Sequence, residues 1–173
     1  QIWIATSNAG LNCYNTFTGK ITRYQVNNSI KNSISSNATM CLLFDDVNGN
    51  LWIGTSGGGL NCFNVNSKNF VCYKTNANVN SVPSNFIRSL YKDKNGRLWV
   101  GTSDNGFASF DIQQKTFTRY NLPEQKKQDK SAKAEICFGE EVNKNFWIGS
   151  EQGLFSFDRD NKKLEVIKLV YIQ

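Results

Sequence analysis

Four tryptophans stand at positions 3, 52, 99 and 147, separated by 49, 47 and 48 residues. A period near 48 in a chain rich in turn formers marks a repeat array of small β-sheets. The residues around each tryptophan repeat as well. They read IWIATSNAGLNCYN from Ile2, LWIGTSGGGLNCFN from Leu51, LWVGTSDNGFASFD from Leu98 and FWIGSEQGLFSFD from Phe146, the last one residue shorter.

Each unit resolves into four short strands. In the third, Phe86–Tyr91 is the first strand, and Asp93–Gly96 turns the chain with an Asn-Gly pair, expected as a type I′ hairpin turn. Leu98–Thr102 is the second strand, Phe107–Phe110 the third and Thr116–Tyr120 the fourth. The hairpin turn recurs as Asp46–Gly49, with Asp46 and Asp93 expected to cap it through their carboxylates. In the fourth unit it becomes Glu141–Lys144 without glycine, expected to be the most strained of the set.

Four antiparallel strands per repeat of this length describe a propeller blade. The expected fold is therefore all-β, a partial β-propeller of about four blades. The blades span about 1–26 (three strands), 38–75, 85–121 and 134–170. The first blade lacks its inner strand, so the arc is open rather than a closed ring. It is expected to expose two apolar blade faces and to be poorly soluble alone. The tryptophans are expected between blades, because a single sheet cannot bury both its faces.

Composition narrows the chemistry. With no histidine, the chain has no Ser-His-Asp triad, Cys-His pair or His-ligated zinc. Its five cysteines, Cys13, Cys41, Cys62, Cys72 and Cys137, include no CxxC pair, and free thiols are expected. No cofactor, metal site or catalytic residue is expected. The net charge of +6 owes +2 to the stretch from Glu124 to Lys133, which holds four lysines. The rest is spread thinly, so a nucleic-acid surface is not expected. That lysine-rich stretch is read as a solvated loop, with contact to an anionic glycan as its sharper reading. No run of 18 apolar residues marks a membrane span in this segment.

The pattern [Leu/Ile/Phe]-Trp-[Ile/Val]-Gly-Thr-x-x-x-Gly-Leu-x-x-Phe-[Asn/Asp] resembles the two-component regulator propeller repeat. The Ser-x-x-Ser-Asn lead-in resembles it too, at Ser33–Asn37 and Ser81–Asn85, as does the Asp-x-x-Gly turn. The fourth unit departs from the lead-in. The resemblance implies the periplasmic sensor region of a hybrid two-component receptor, with the remaining blades supplied by the parent chain. It also implies a glycan fragment as ligand and a homodimeric parent receptor. A structural or protein-docking propeller is the alternative.

The turn at Asp46 and Asp93 also resembles the Asp-box of sialidases, but a sialidase needs an arginine cluster, and of the five arginines only Arg88 falls in a first strand, so no enzyme is expected. Propeller ligands meet the axis or the rim formed by fourth-to-first connections and second-to-third turns. Asn37, Asn85 and Arg88 there can hydrogen-bond sugar hydroxyls, and Asp104 can accept from them. Phe44 and Tyr91 are expected to pack near the channel.

Overall fold

The computed structural model describes residues 1–30, 32–123, 136–142 and 145–167. Blade I is a three-stranded antiparallel sheet of β1 (Ile2–Ala5), β2 (Leu11–Tyr14) and β3 (Ile21–Tyr24). Blade II holds β4 (Thr39–Asp45), β5 (Asn50–Thr55), β6 (Leu60–Asn64) and β7 (Asn69–Tyr73). Blade III holds β8 (Ile87–Lys92), β9 (Leu98–Thr102), β10 (Phe107–Asp111) and β11 (Thr116–Tyr120). Blade IV holds β12 (Cys137–Val142), β13 (Asn145–Ser150), β14 (Gly153–Asp158) and β15 (Lys163–Ile167). Every sheet pairs its strands in sequence order, as short loops dictate. The result is an open arc of propeller blades. The lysine-rich stretch from Glu124 to Lys133 and the turn at Lys144 lie outside the described residues.

Period-two alternation sends successive side chains to opposite faces of each sheet. Leu51 and Ile53 face blade I, whereas Trp52 between them faces blade III. Each seam buries one aromatic pair built from the same repeat positions. Trp3 meets Phe63 at 5.5 Å, Trp52 meets Phe110 at 5.5 Å and Trp99 meets Phe157 at 5.6 Å, all edge-on. A tyrosine closing the fourth strand completes each group, with Tyr73 4.9 Å from Phe110 and Tyr120 5.0 Å from Phe157. Trp52 and Trp99 are buried, while Trp3 and Trp147 are half-buried. Opposite Trp3, the outer face of blade I exposes Ile2, Ile4 and Ile21. Tyr91 packs in the seam against Phe146, whereas Phe44 on β4 is exposed.

Backbone bonds stitch the blades at the same end. Thr39 N donates to Thr6 O at 2.9 Å and Ile136 N to Thr102 O at 3.1 Å, while Ser56 N to Ala38 O at 2.9 Å and Ser103 N to Phe86 O at 3.0 Å extend the first pair of strands within blades II and III. Glycine is demanded in the second-to-third turn. Gly10, Gly59 and Gly106 have φ of +74°, +80° and +67°, and a Cβ there would lie 2.2 to 2.3 Å from a tyrosine carbonyl oxygen of the fourth strand.

The first-to-second hairpin differs from a two-residue type I′ turn. Within the blade III hairpin turn only Gly96 has positive φ, and Gly96 N donates to Asp93 O at 2.9 Å while Asp93 N donates to Arg97 O at 3.0 Å. This is a three-residue loop ending in a left-handed glycine, which leaves room for a capping carboxylate. Asp93 Oδ1 accepts from Asn95 N and Arg97 N, as expected of a cap. In blade II, however, Asp46 is exposed and Asp45 is the buried carboxylate. The blade II turn is one residue longer, so counting back from Trp52 points to the wrong aspartate.

Candidate functional site

The fourth-to-first connections and second-to-third turns share one end of the arc, the rim. It is held together by short polar side chains whose job is local. Thr55 and Thr102 hydroxyls donate to Gly59 O and Gly106 O, each at 2.7 Å. Asn61 binds Ser35 from both ends of its amide, and Ser35 Oγ donates to Gly58 O at 2.8 Å. These bonds satisfy loop backbone that no strand partner reaches.

Asn37 and Asn85 occupy the same position in successive blades and do the same work. Asn37 O accepts from Gly10 N at 2.8 Å, and its Oδ1 accepts from Val26 N at 2.8 Å. Asn85 O accepts from Gly59 N at 2.9 Å, and its Oδ1 accepts from Thr75 N at 2.9 Å. Each asparagine therefore clasps its own connection to the turn of the preceding blade. The Nδ2 group is what each can offer a ligand.

Arg88 sits at a β-bulge. The ladder between β8 and β9 shifts between Ile87 and Ser89, and the matching shift in blade II brackets Met40. A bulge leaves its extra residue unpaired and re-aims the side chain, and bulges are frequent beside binding sites. Arg88 is half-buried and its charge reaches Cys41 across the blade II–III seam. Burial pushes the Cys41 thiol up to about 12, against the opposing pull of a hydrogen bond with the Gly54 backbone and of Arg88. Cys41 is thus a neutral packing group. All five cysteines are free.

Asp104 is exposed in the turn after β9. The turn is tied to the blade's lead-in, because Asn105 Nδ2 donates to Pro83 O at 3.4 Å. Asn85, Arg88 and Asp104 thus belong to one blade and one end of it, and Asn37 stands at the same end of the neighbouring blade. The larger grooves have other linings. One of about 470 Å³ opens at the outer side of the blade I–II seam, near Tyr24, Ile30, Ser33 and Phe70. Another of about 360 Å³ lies at the opposite end, near Asn48, Asn95, Arg97 and Gln113.

Two ionic ties between blades escape sequence reading. Lys92 Nζ lies 2.7 Å from Asp45 Oδ1, joining blade III to blade II. Arg159 lies 3.1 Å from Asp93 Oδ2, joining blade IV to blade III, and Trp99 Nε1 donates to the same oxygen at 2.9 Å. The signal was present as an aspartate 48 residues before another, at 45 and 93. Alignment on the tryptophans concealed it. The described residues contain no group of three or more metal-ligating side chains. No helix among them is long and apolar enough to cross a membrane.

The family profile of the two component regulator propeller matches residues 81–104. That span runs from the Ser81 lead-in to Asp104 and includes Asn85 and Arg88. Comparison with curated proteins gives no match. Among solved structures, the chain is similar to the extracellular domain of a protein from B. thetaiotaomicron assigned as a hybrid two component system. The TM-score is 0.78 at 24% identity, covering 94% of this chain and 21% of that one. It is also similar to the extracellular domain of a protein from the same organism assigned as a one component system, with TM-score 0.72, 22% identity, and 98% and 23% coverage. The Swd1 β-propeller domain of Myceliophteria thermophila gives TM-score 0.52 at 14% identity, with 90% and 52% coverage. The chain spans about a fifth of the length of the first two structures, and these likenesses show the propeller fold.

Proposed function

We propose that this chain, which carries the two-component regulator propeller repeat, is a segment of an extracytoplasmic sensor in a signal-transducing receptor and helps bind an oligosaccharide. The observation that carries the reading is the placement of Asn85, Arg88 and Asp104. All three lie within the matched repeat and at one end of blade III. Support also comes from the two B. thetaiotaomicron structures of like fold, both extracellular domains of assigned signalling systems. In this reading the segment sits in the periplasm, works in a homodimeric receptor and shares its site with further blades. It performs no catalysis.

The chemistry suits a neutral polar ligand. Amide Nδ2 groups from Asn37 and Asn85 donate, Asp104 accepts, and Arg88 donates from a bulge that fixes its direction. A docking propeller is the second reading, favoured by the exposed Met40 and Phe44 on the inner strand β4. Calorimetric titration of the whole extracytoplasmic region with an oligosaccharide panel separates the two. The sensor reading expects saturable heat with at least one sugar, weakened about tenfold or more by Arg88→Ala, roughly 1.4 kcal/mol. No heat across the panel supports docking instead.

A further inference from the structure

Phe86 at the rim leaves 47% of its surface exposed, although its backbone is held on both sides. Phe86 N donates to Ser84 Oγ at 3.0 Å, and Phe86 O accepts from Ser103 N at 3.0 Å. The Cα–Cβ direction is thus fixed while the ring stays open to solvent. One exposed apolar side chain is ordinary on any protein surface. The surroundings of Phe86 set it apart.

Its ring stands beside the second-to-third turn of blade II. That turn reads Ser56-Gly57-Gly58-Gly59, against Ser7-Asn8-Ala9-Gly10 in blade I and Ser103-Asp104-Asn105-Gly106 in blade III. Gly57 has φ of +81°, a left-handed backbone that neither Asn8 nor Asp104 shares. Glycine is needed at Gly58 for another reason, because a Cβ there would lie 2.6 Å from Ser35 Oγ and 2.7 Å from Thr55 Oγ1. At Gly57 a Cβ would meet only Phe86 Cε1, at 3.9 Å. The turn therefore carries no side chain where its neighbours carry two, and the ring lies next to the space so left.

The repeat makes the same comparison from the other side. In the preceding connection the position of Phe86 is held by Ala38, beside a turn that has its side chains. The aromatic ring and the bare turn thus occur together in one blade-to-blade step and are both missing from the step before it. Asn85 leans on the same turn, with its Oδ1 3.3 Å from where a Gly59 Cβ would stand. That oxygen is engaged by Thr75 N, which leaves the Nδ2 donor for a ligand. Consecutive residues therefore set an aromatic ring and an amide donor on one glycine turn.

This pairing matches the two chemistries of a pyranose. A sugar ring has C–H groups on its face and hydroxyls at its edge. The C–H groups carry partial positive charge and are drawn to the negative face of an aromatic ring, while the hydroxyls take directed hydrogen bonds. We infer that Phe86 is a stacking platform for the C–H face of one pyranose unit, bound over the Gly57–Gly59 turn with its hydroxyls toward Asn85. The inference rests on the sensor reading and adds to it the residue that selects a ring sugar over an open-chain polyol.

The test is calorimetric titration of the whole extracytoplasmic region with cellotriose, galactotriose, mannotriose and the open-chain polyol glucitol. At least one trisaccharide is expected to give saturable heat, and glucitol to bind at least about tenfold more weakly. Phe86→Ala is expected to weaken the bound trisaccharide about tenfold, and Phe86→Leu nearly as much, because leucine is apolar but has no ring face. Phe86→Tyr keeps the ring and should stay within about twofold of the native affinity. Gly57→Asn, which gives the turn a side chain of a type that tolerates left-handed φ, should also weaken binding.

Binding undiminished by Phe86→Ala but weakened by Arg88→Ala overturns this inference and leaves the sensor reading standing. Native affinity in Phe86→Leu overturns stacking in the same way. The absence of heat with every trisaccharide overturns the sensor reading and this inference with it.

Discussion

Trp99 of blade III meets Phe157 of blade IV edge-on, with ring centroids 5.6 Å apart and planes inclined at 68°. The two residues belong to different sheets, and equivalent pairs bind blade I to II and blade II to III. One aromatic contact is therefore copied along the arc from seam to seam. Trp99→Ala is expected to destabilise the chain by about 3–5 kcal/mol, the usual range for emptying a buried aromatic site. Trp147→Ala, at a half-buried position, should cost less than about half as much. Urea unfolding of the two variants checks this, and equal losses would show that the seam is not where stability resides.

Gly59 and Gly96 have nearly the same φ, +80° and +78°, but different surroundings. A Cβ at Gly59 would lie 2.3 Å from Tyr73 O, whereas at Gly96 it would meet nothing within 4 Å. Gly96→Ala should therefore cost only the left-handed penalty, about 1–2 kcal/mol. Gly59→Ala should cost clearly more, because the fourth strand must move away from the turn. Thermal unfolding of both variants reads the difference.

Asp45 is buried against Lys92. Burial alone would raise its pKa, but hydrogen bonds from Asn48 and Lys92, the Lys92 charge and the Val47 backbone hold it below its ordinary 3.8. A folded pKa below the unfolded one contributes stability that is fully present above the unfolded value. That stability is lost as pH falls through the folded value. Urea midpoints measured from about pH 5 down to about pH 2.5 should therefore fall more steeply for the native chain than for Asp45→Asn. Parallel curves would remove Asp45 from the acid sensitivity.

Thiol labelling should divide the cysteines in two. Burial pushes Cys41 up to about 12, and burial together with the Asp45 charge pushes Cys62 up to about 11. At about pH 8 the thiolate of such groups is present at about one part in a thousand or less, so attack is slow. Cys72 and Cys137 are exposed, while Cys13 is buried. A disulfide-exchange reagent should react promptly with Cys72 and Cys137 and reach the other three only on unfolding.

The sheets were legible in the sequence because period-two alternation and a 48-residue repeat act on many positions at once. The seam positions of Trp52 and Trp99 follow from that pattern alone. The Asp45 cap was not legible, since one extra residue in the blade II turn shifts the alignment on Trp52. The left-handed backbone at Lys68, Lys115 and Lys162 was equally hidden, with φ of 59°, 57° and 53°. Lysine carries no turn signal, and the conformation is imposed by Asx capping from Asn64, Asp111 and Asp158. At the rim, the sequence pointed to Asn37 and Asn85 as polar groups. Only the structure shows that their Oδ1 atoms are already engaged by Val26 and Thr75.

The central claim is that the rim formed by blades II and III receives a ligand. Hydrogen exchange of the whole extracytoplasmic region, with and without an oligosaccharide that gives heat, tests it most directly. The account predicts slowed exchange in residues 33–39 and 81–88, which hold Asn37, Asn85 and Arg88. Protection confined to the opposite end, at the turns 46–49 and 93–96, would contradict it.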